Sequence, residues 1–429
     1  MLVSQVDAKI TVRKDPMRPY VGLENIPSRG AHLTGWSTAS SSISTNSIFQ
    51  EGDVLFGKLR PNLRKCVIAP FDGYCSTDIL VLRPNTGVDS SFAGKVLRTE
   101  QVGAAAEMTS VGTKMPRTSW KHLSELEVFC PSLPEQSKVA QILDTLDTAI
   151  HETEAIIAKL KAVKQGLLHD LLTRGIDANG ELRPPQAEAP QLYKESALGW
   201  IPNEWEVHGV LDVAPADRQC ILTGPFGAEL GQADFKEEGT PVLRIGNVQA
   251  GHIDWNNIQV VTQEKAQRLD KYRVTTGDLL FARQGATTGR NALADARAHG
   301  VLINYHIIRV AVDHAKCHPT YLYALFNTAN AKSQVDQSKG RGTREGINSE
   351  QIASLTFALP NPEEQNEAVE RIASIDASIS DESMLLEKLQ LEKSGLMDDL
   401  LTGRVRVTPL LEGDSTSQTG QQLAGQMPG

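Results

Sequence analysis

The sequence is poor in the groups that mark secreted, membrane or catalytic chains. Five cysteines occur in 429 residues: Cys66, Cys75, Cys130, Cys220 and Cys317. They are odd in number and scattered, with no CxxC pair. That argues against a disulfide framework or a cysteine zinc site and for reduced thiols in a cytoplasmic protein. No run of about 18 apolar residues is present, which argues against a membrane-spanning helix. The first ten residues alternate polar and apolar types and lack the apolar stretch of a signal peptide. The ten histidines are dispersed, with no HExxH motif, and no P-loop GxxxxGK[ST] occurs. Zinc-protease chemistry and ATP hydrolysis are therefore not expected of this chain.

Basic residues are also in deficit, and the formal net charge is −9. The deficit is local. Residues 1–130 carry 15 basic and 12 acidic side chains, whereas residues 360–429 carry 5 and 13. Most of the acid excess therefore lies outside the two large globular stretches. Affinity for a polyanion depends on local basic patches, so the overall charge does not exclude one.

What the chain does have is an internal repeat. The run Pro131-Ser132-Leu133-Pro134-Glu135-Gln136 aligns with Pro360-Asn361-Pro362-Glu363-Glu364-Gln365 at an offset of 229. The alignment continues without a gap for about forty residues, setting Asp147 on Asp376, Lys164 on Lys393 and Leu171-Leu172-Thr173 on Leu400-Leu401-Thr402. Weaker matches lie upstream. Gly52-Asp53-Val54-Leu55-Phe56 resembles Gly277-Asp278-Leu279-Leu280-Phe281, and Tyr20 to Ile26 resembles Val242 to Val248. Each half reads as a globular domain, a proline stop and a long helix.

The helical segments open on Pro and Glu, which suit unpaired N–H groups and the positive dipole end, and then run without proline. Apolar residues recur at heptad spacing. The first seam comprises Leu143, Leu146, Ile150, Thr153, Ile157, Leu160, Lys164, Leu167 and Leu171. The second comprises Ile372, Ile375, Ile379, Glu382, Leu386, Leu389, Lys393, Leu396 and Leu400. Antiparallel pairing with Ile157 opposite Leu389 sets Leu146 on Leu400, Ile150 on Leu396, Leu160 on Leu386 and Leu171 on Ile375. It also sets Lys164 on Glu382 and Thr153 on Lys393, whereas parallel pairing would oppose Lys164 and Lys393. An antiparallel coiled coil is expected; the competing arrangement packs each helix on its own domain. A helix of about 38 residues spans roughly 57 Å, so two domains on such a rod would sit over separated sites.

The expected boundaries are a first domain at 1–130, a first helix at 131–173, a linker at 174–200, a second domain at 201–359, a second helix at 360–407 and a disordered tail at 408–429. The linker is expected to be a helix stop followed by a loop, from its glycines and prolines.

This plan resembles the specificity subunit of type I restriction–modification systems. The resemblance extends to about residue 407. It rests on the duplicated domain–helix order, the Pro–Glu–Gln helix starts, the Leu-Leu-Thr endings, and the second-domain lead-in Tyr193-Lys194-Glu195-Ser196 with Leu198-Gly199-Trp200-Ile201-Pro202 and Trp205. The first domain has no matching Trp-containing lead-in. The resemblance implies an α+β protein: two target-recognition domains, each a curved β-sheet with helices, separated by the antiparallel helices. It implies a non-catalytic subunit that binds double-stranded DNA and docks two modification subunits, with up to two restriction subunits (helicase-nucleases) joining. S-adenosylmethionine and ATP with magnesium would then reside on those partners, none on this chain. No Asn/Asp-Pro-Pro-Tyr motif of adenine methyltransferases is present, in agreement. The alternatives are a coiled-coil scaffold with protein-binding ends, and a recognition module of a system lacking the restriction subunit.

Reading DNA needs Arg, Lys, Asn or Gln at base edges, with basic and small polar groups on phosphates. Candidates in the first domain are Lys58, Arg60, Asn62, Arg64 and Lys65, just after an expected strand, and Thr113, Lys114 and Arg117 beside Gly112. Their counterparts in the second domain are Arg283, Gln284, Thr287, Thr288 and Arg290, and Arg341, Thr343 and Arg344 beside Gly342. The other reading of these stretches is a solvated turn. Gly224-Pro225-Phe226-Gly227 reads either as a packing turn around a buried Phe or as part of the interface.

Overall fold

A computed structural model describes residues 1–11, 17–39, 45–284, 289–338 and 346–411. The chain forms two compact units. One holds Met1–Ile157 together with the chain from Asp381 onward, and the other holds Ala158–Ser380. Both boundaries fall within the long helices, Leu133–Thr173 and Pro362–Leu401, so each unit contains half of each helix.

In the first unit, one antiparallel sheet has the order Val3–Gln5, Ile79–Pro84, Val54–Gly57, Cys66–Ile68. A second sheet has the order Lys9–Thr11, Thr45–Phe49, Gly73–Ser76, Pro19–Val21, Ser37–Thr38, with Pro19–Val21 parallel to Gly73–Ser76. The strand Val54–Gly57 is buried throughout because both of its faces are covered. Successive side chains alternate faces. Leu55 therefore joins the cluster of Val21, Phe49 and Cys75 from the second sheet, while Val54 and Phe56 join Ala93, Leu97 and Val102 from the helices Ser90–Leu97 and Glu100–Met108.

The second unit repeats this frame. Its first sheet has the order Ile221–Thr223, Ile307–Val310, Leu279–Ala282, Asn291–Leu293. Its second sheet again contains a parallel pair, Thr240–Leu243 with Leu302–Ile303. Leu280 and Ala282 face that sheet, and Leu279 and Phe281 face the helix Pro319–Phe326. The Gly-Asp repeat is a shared turn. Gly52 and Gly277 have φ of 84° and 91°, which only glycine adopts without cost. The following Asp53 and Asp278 are buried, accept from the backbone of Gln50 and Thr275, and are paired with Arg83 and Arg218.

The Pro–Glu–Gln motif is a joint. Gln136 donates to the Pro131 carbonyl at 2.9 Å and accepts from Asp89 N at 2.9 Å. Gln365 does the same with Pro360 and His318 N. Each buried glutamine thus ties a long helix to the start of a domain helix. The neighbouring glutamates are clamped by the chain that follows the other long helix within the same unit. Glu364 accepts from Arg183, Ile176 N and Trp205 Nε1; Glu135 accepts from Arg406 and Thr408.

The helices run antiparallel within each unit. Leu143 shares a buried cluster with Leu400, and Leu171 shares one with Ile372. Among the seam positions, Leu143, Thr153, Ile157, Leu171, Ile372 and Leu400 are buried. The rest, including Leu146, Ile150, Leu160, Ile375, Ile379, Glu382, Leu386 and Leu389, are half-buried. The polar layers differ from the expected ones. Lys164 is paired with Asp376 at 2.5 Å rather than with Glu382, and Lys393 with Asp147 rather than with Thr153. The Thr153 hydroxyl is already committed to the Ala149 carbonyl at 2.8 Å, and a carboxylate attracts an ammonium more strongly than a hydroxyl does. The two ion pairs are copies of one another under the 229-residue repeat.

Other departures concern the connecting segments. The segment 174–200, expected as a loop, contains Tyr193–Ser196, which forms a hairpin with Gly199–Pro202. The second helix ends at Leu401. Thr408, expected in a free tail, is bonded to Glu135; the stretch from 412 lies outside the described residues.

Candidate functional site

In the first unit the two expected contact stretches lie side by side. Leu59 bridges to Arg117, and Arg60 N donates to the Pro116 carbonyl at 2.8 Å. The backbone of Arg60 is left-handed, with φ of 52°, and so is that of Arg64, with φ of 53°. Two non-glycine residues in this region around Pro61–Leu63 are strained, and such strain concentrates in functional loops. The bend leaves Arg60 and Asn62 exposed and Lys58 half-buried, with no salt bridge to any of the three among the described residues. Thr113 and Lys114 are exposed on the neighbouring loop.

Three candidates are instead employed within the fold. Arg64 lies over Gly103 and is held by Glu100 and Glu107, each at 2.8 Å. Lys65 donates to the Leu23 carbonyl at 2.6 Å. Arg117 forms a two-pronged pair with Asp78, at 2.9 and 3.0 Å. The hydrogen bonds and charge of Arg117, assisted by Lys58, hold the Asp78 carboxyl below the usual range despite partial burial. These side chains shape the loops, and counting basic residues could not separate them from Lys58 and Arg60.

The second unit repeats the arrangement. Arg283 N donates to the His306 carbonyl at 2.9 Å, as Lys58 N donates to that of Asp78 at 3.0 Å. The Arg283 carbonyl accepts from Ile347 N, as that of Lys58 accepts from Thr118 N. Lys58 and Arg283 thus occupy one position of the shared frame. Arg290 is exposed and donates to Gln249 at 2.8 Å, and Gln284 bridges to Gly346. Thr287, Thr288, Arg341, Thr343 and Arg344 lie outside the described residues. Of the two readings of residues 224–227, the packing turn around a buried Phe does not hold: Phe226 is 58% exposed and stacks on Tyr305.

The type I restriction modification DNA specificity domain family matches residues 14–162 and 202–391, one match in each half of the repeat. The chain belongs to this family of specificity subunits. The specificity subunit is 25% identical over 303 residues to the MjaVIII specificity subunit of Methanocaldococcus jannaschii, covering 70% of this chain and 67% of that one. It is 24% identical to the EcoKI specificity subunit of Escherichia coli, covering 72% and 62%. Two solved structures share its fold. The type I restriction–modification S subunit of M. genitalium matches with a TM-score of 0.54 at 14% identity, over 93% of this chain and 94% of that one. A chain from work on complex assembly and conformational transition of the type I system matches with a TM-score of 0.53 at 16% identity, over 91% and 93%.

Sequence reasoning did not single out a polar cavity in the second domain of this specificity subunit, lined by Arg244, Asn256, Gln259, Asn304, Tyr305 and His306. The signal was present in the repeat of Tyr20–Ile26 on Val242–Val248, which aligns Gly22 with Arg244. Among the described residues no group of three or more His, Cys, Asp or Glu side chains is arranged to hold a metal, and no helix is long and apolar enough to cross a membrane.

Proposed function

We propose that this specificity subunit reads a bipartite DNA target, one half-site per domain, docks two modification subunits and performs no chemistry itself. The observation that carries the reading is one β-frame built twice with unlike side chains on the same loops. A shared frame suits a common ligand geometry, a DNA backbone, while differing side chains suit two base sequences. In this reading Lys58, Arg60 and Lys114 in the first domain and Arg283 in the second contact phosphates or base edges. Arg64, Lys65 and Arg117 hold the loops in shape. S-adenosylmethionine belongs to the modification subunits, and ATP with magnesium to restriction subunits where these join.

The test is a gel-shift of the subunit assembled with its modification partners, alongside mapping of methylated adenines. Lys58→Glu, Arg60→Glu and Arg283→Glu should each weaken binding and make it less sensitive to salt, because each removes a cation that displaces counterions from the DNA. Unchanged affinity and unchanged methylation sites in all three would remove these loops from the interface. A complex that retains no DNA but captures protein would favour the scaffold.

A further inference from the structure

The polar cavity of the second domain, about 540 Å³ in volume, carries a concentration of unmet hydrogen-bonding capacity. Among the described residues, Arg244 Nε, Gln259 Oε1 and His306 Nδ1 are buried polar atoms with no partner. Unpaired buried polar atoms are scarce in folded proteins because each forfeits a hydrogen bond. Three around one cavity mark a surface shaped for a polar ligand. The three atoms are covered although their residues are half-buried, and Arg244 is held through Nη2 by the Asn257 carbonyl at 3.1 Å, so each side chain must turn to present its free atom to a ligand in the cavity. Together they provide a guanidinium donor, an amide acceptor and an imidazole. Burial, and then the charge of Arg283, lower the pKa of His306 and favour a neutral ring, which both donates and accepts. Phe226, exposed and stacked on Tyr305 at 6.3 Å between centroids, adds an apolar surface beside the cavity.

The first domain shows what has changed. Gly22 N and Arg244 N each donate to an asparagine side chain at 2.9 Å at the start of matching turns, Leu23–Asn25 and Ile245–Asn247. Arg244 therefore stands where the first domain has no side chain. His306 stands at the frame position of Asp78, which the first domain neutralises with Arg117. The two domains thus share the scaffold and differ at the groups that line this cavity. A base edge in the major groove presents adjacent donors, acceptors and thymine methyl groups, which is the complement of this set.

We infer that the cavity reads base edges of the half-site recognised by the second domain, with Arg244, Gln259 and His306 as specificity-determining residues. The inference rests on the DNA-reading function proposed above. It is tested with the whole subunit assembled with its modification partners. Gln259→Leu keeps the volume and removes the acceptor, His306→Phe keeps the ring, and Arg244→Lys keeps the charge but loses the guanidinium fork. Each variant should bind the cognate site about 10- to 100-fold more weakly. Mapped methylation should relax or change only in the second domain's half-site, with non-specific DNA binding and melting temperature preserved. Variants that fold normally and methylate the parental sequence with parental affinity would overturn the assignment. So would a loss that is uniform across all DNA sequences, which would mark phosphate contacts. A parental complex without sequence-selective binding would instead overturn the function itself, and the cavity assignment with it.

Discussion

Replacing Glu364 with glutamine tests whether the joint at the start of the second long helix holds the second unit together. Glu364 accepts four hydrogen bonds: from Ile176 N at 2.7 Å, from Arg183 Nη1 at 2.6 Å and Nη2 at 3.1 Å, and from Trp205 Nε1 at 3.2 Å. Both charged side chains are only 7% exposed. Glutamine keeps the shape but removes the charge and turns an amide donor toward a guanidinium donor. Among the described residues the one carboxylate left to Arg183 would be Glu204, which lies 3.4 Å away and is largely exposed, beside the neutral Arg174 carbonyl at 3.1 Å. Breaking a buried pair from one side costs about 3–5 kcal/mol. At about 2–4 °C per kcal/mol for a unit of this size, the lower figure corresponds to a fall of about 6–12 °C in melting temperature. The control is Asp376→Asn, which breaks the more exposed pair with Lys164 and should cost under about 1 kcal/mol. Circular dichroism melts of the full chain read both variants. The double variant Arg183→Met with Glu364→Gln should recover stability, because it removes the stranded charge. A Glu364→Gln protein melting within about 2 °C of the parent, or a double variant no more stable than the single, would refute the reasoning.

The first unit should lose stability in acid through Asp147 and Glu135. Burial alone would raise the Asp147 pKa. The charge of Arg98 and hydrogen bonds from Lys393 and Lys95 outweigh it and hold the carboxyl at about 2, against an ordinary 3.8. Its contribution, on the order of 2 kcal/mol, is complete above the ordinary value and disappears as pH falls toward 2. Glu135, held at about 2 chiefly by Arg406 and then by Thr408 and Ser132, acts in the same direction. Urea melts between pH 5 and pH 2 should therefore weaken steeply in the parent and less so in Asp147→Asn; equal slopes would contradict this. The thiols provide a separate check. Burial pushes Cys66, Cys75 and Cys317 up to about 12 and Cys220 up to about 11, while Cys130 is exposed. Native protein should react with one equivalent of a thiol reagent and denatured protein with five; rapid labelling of a second cysteine would show the cores to be more open than described.

Much of the architecture was legible in the chain because it is written in local periodicity. The heptad seam through Leu143, Ile157 and Leu171 needs only 3.5-residue spacing and freedom from proline, and the turns at Gly52 and Gly277 need only a glycine before an aspartate. Duplication made these signals readable twice. The basic loops after Val54–Gly57 and Leu279–Ala282 were legible for the same reason.

Partner choice was not. Lys393 could have met Thr153 or Asp147, and Arg64, Lys65 and Arg117 looked as free as Lys58 and Arg60. Phe226 could have been core or surface. By itself the sequence determined the repeat, the two long helices, the direction of their pairing and the stretches from which an interface could be drawn, since all follow from spacing along one chain. Tertiary structure alone decided which charges are spent on Asp78, Glu100 and Glu107 and which stay outside ion pairs among the described residues. It also gathered Arg244, Gln259 and His306 around one cavity. Ion pairing and burial depend on distances between residues far apart in the chain, and those distances exist only once the sheets have packed.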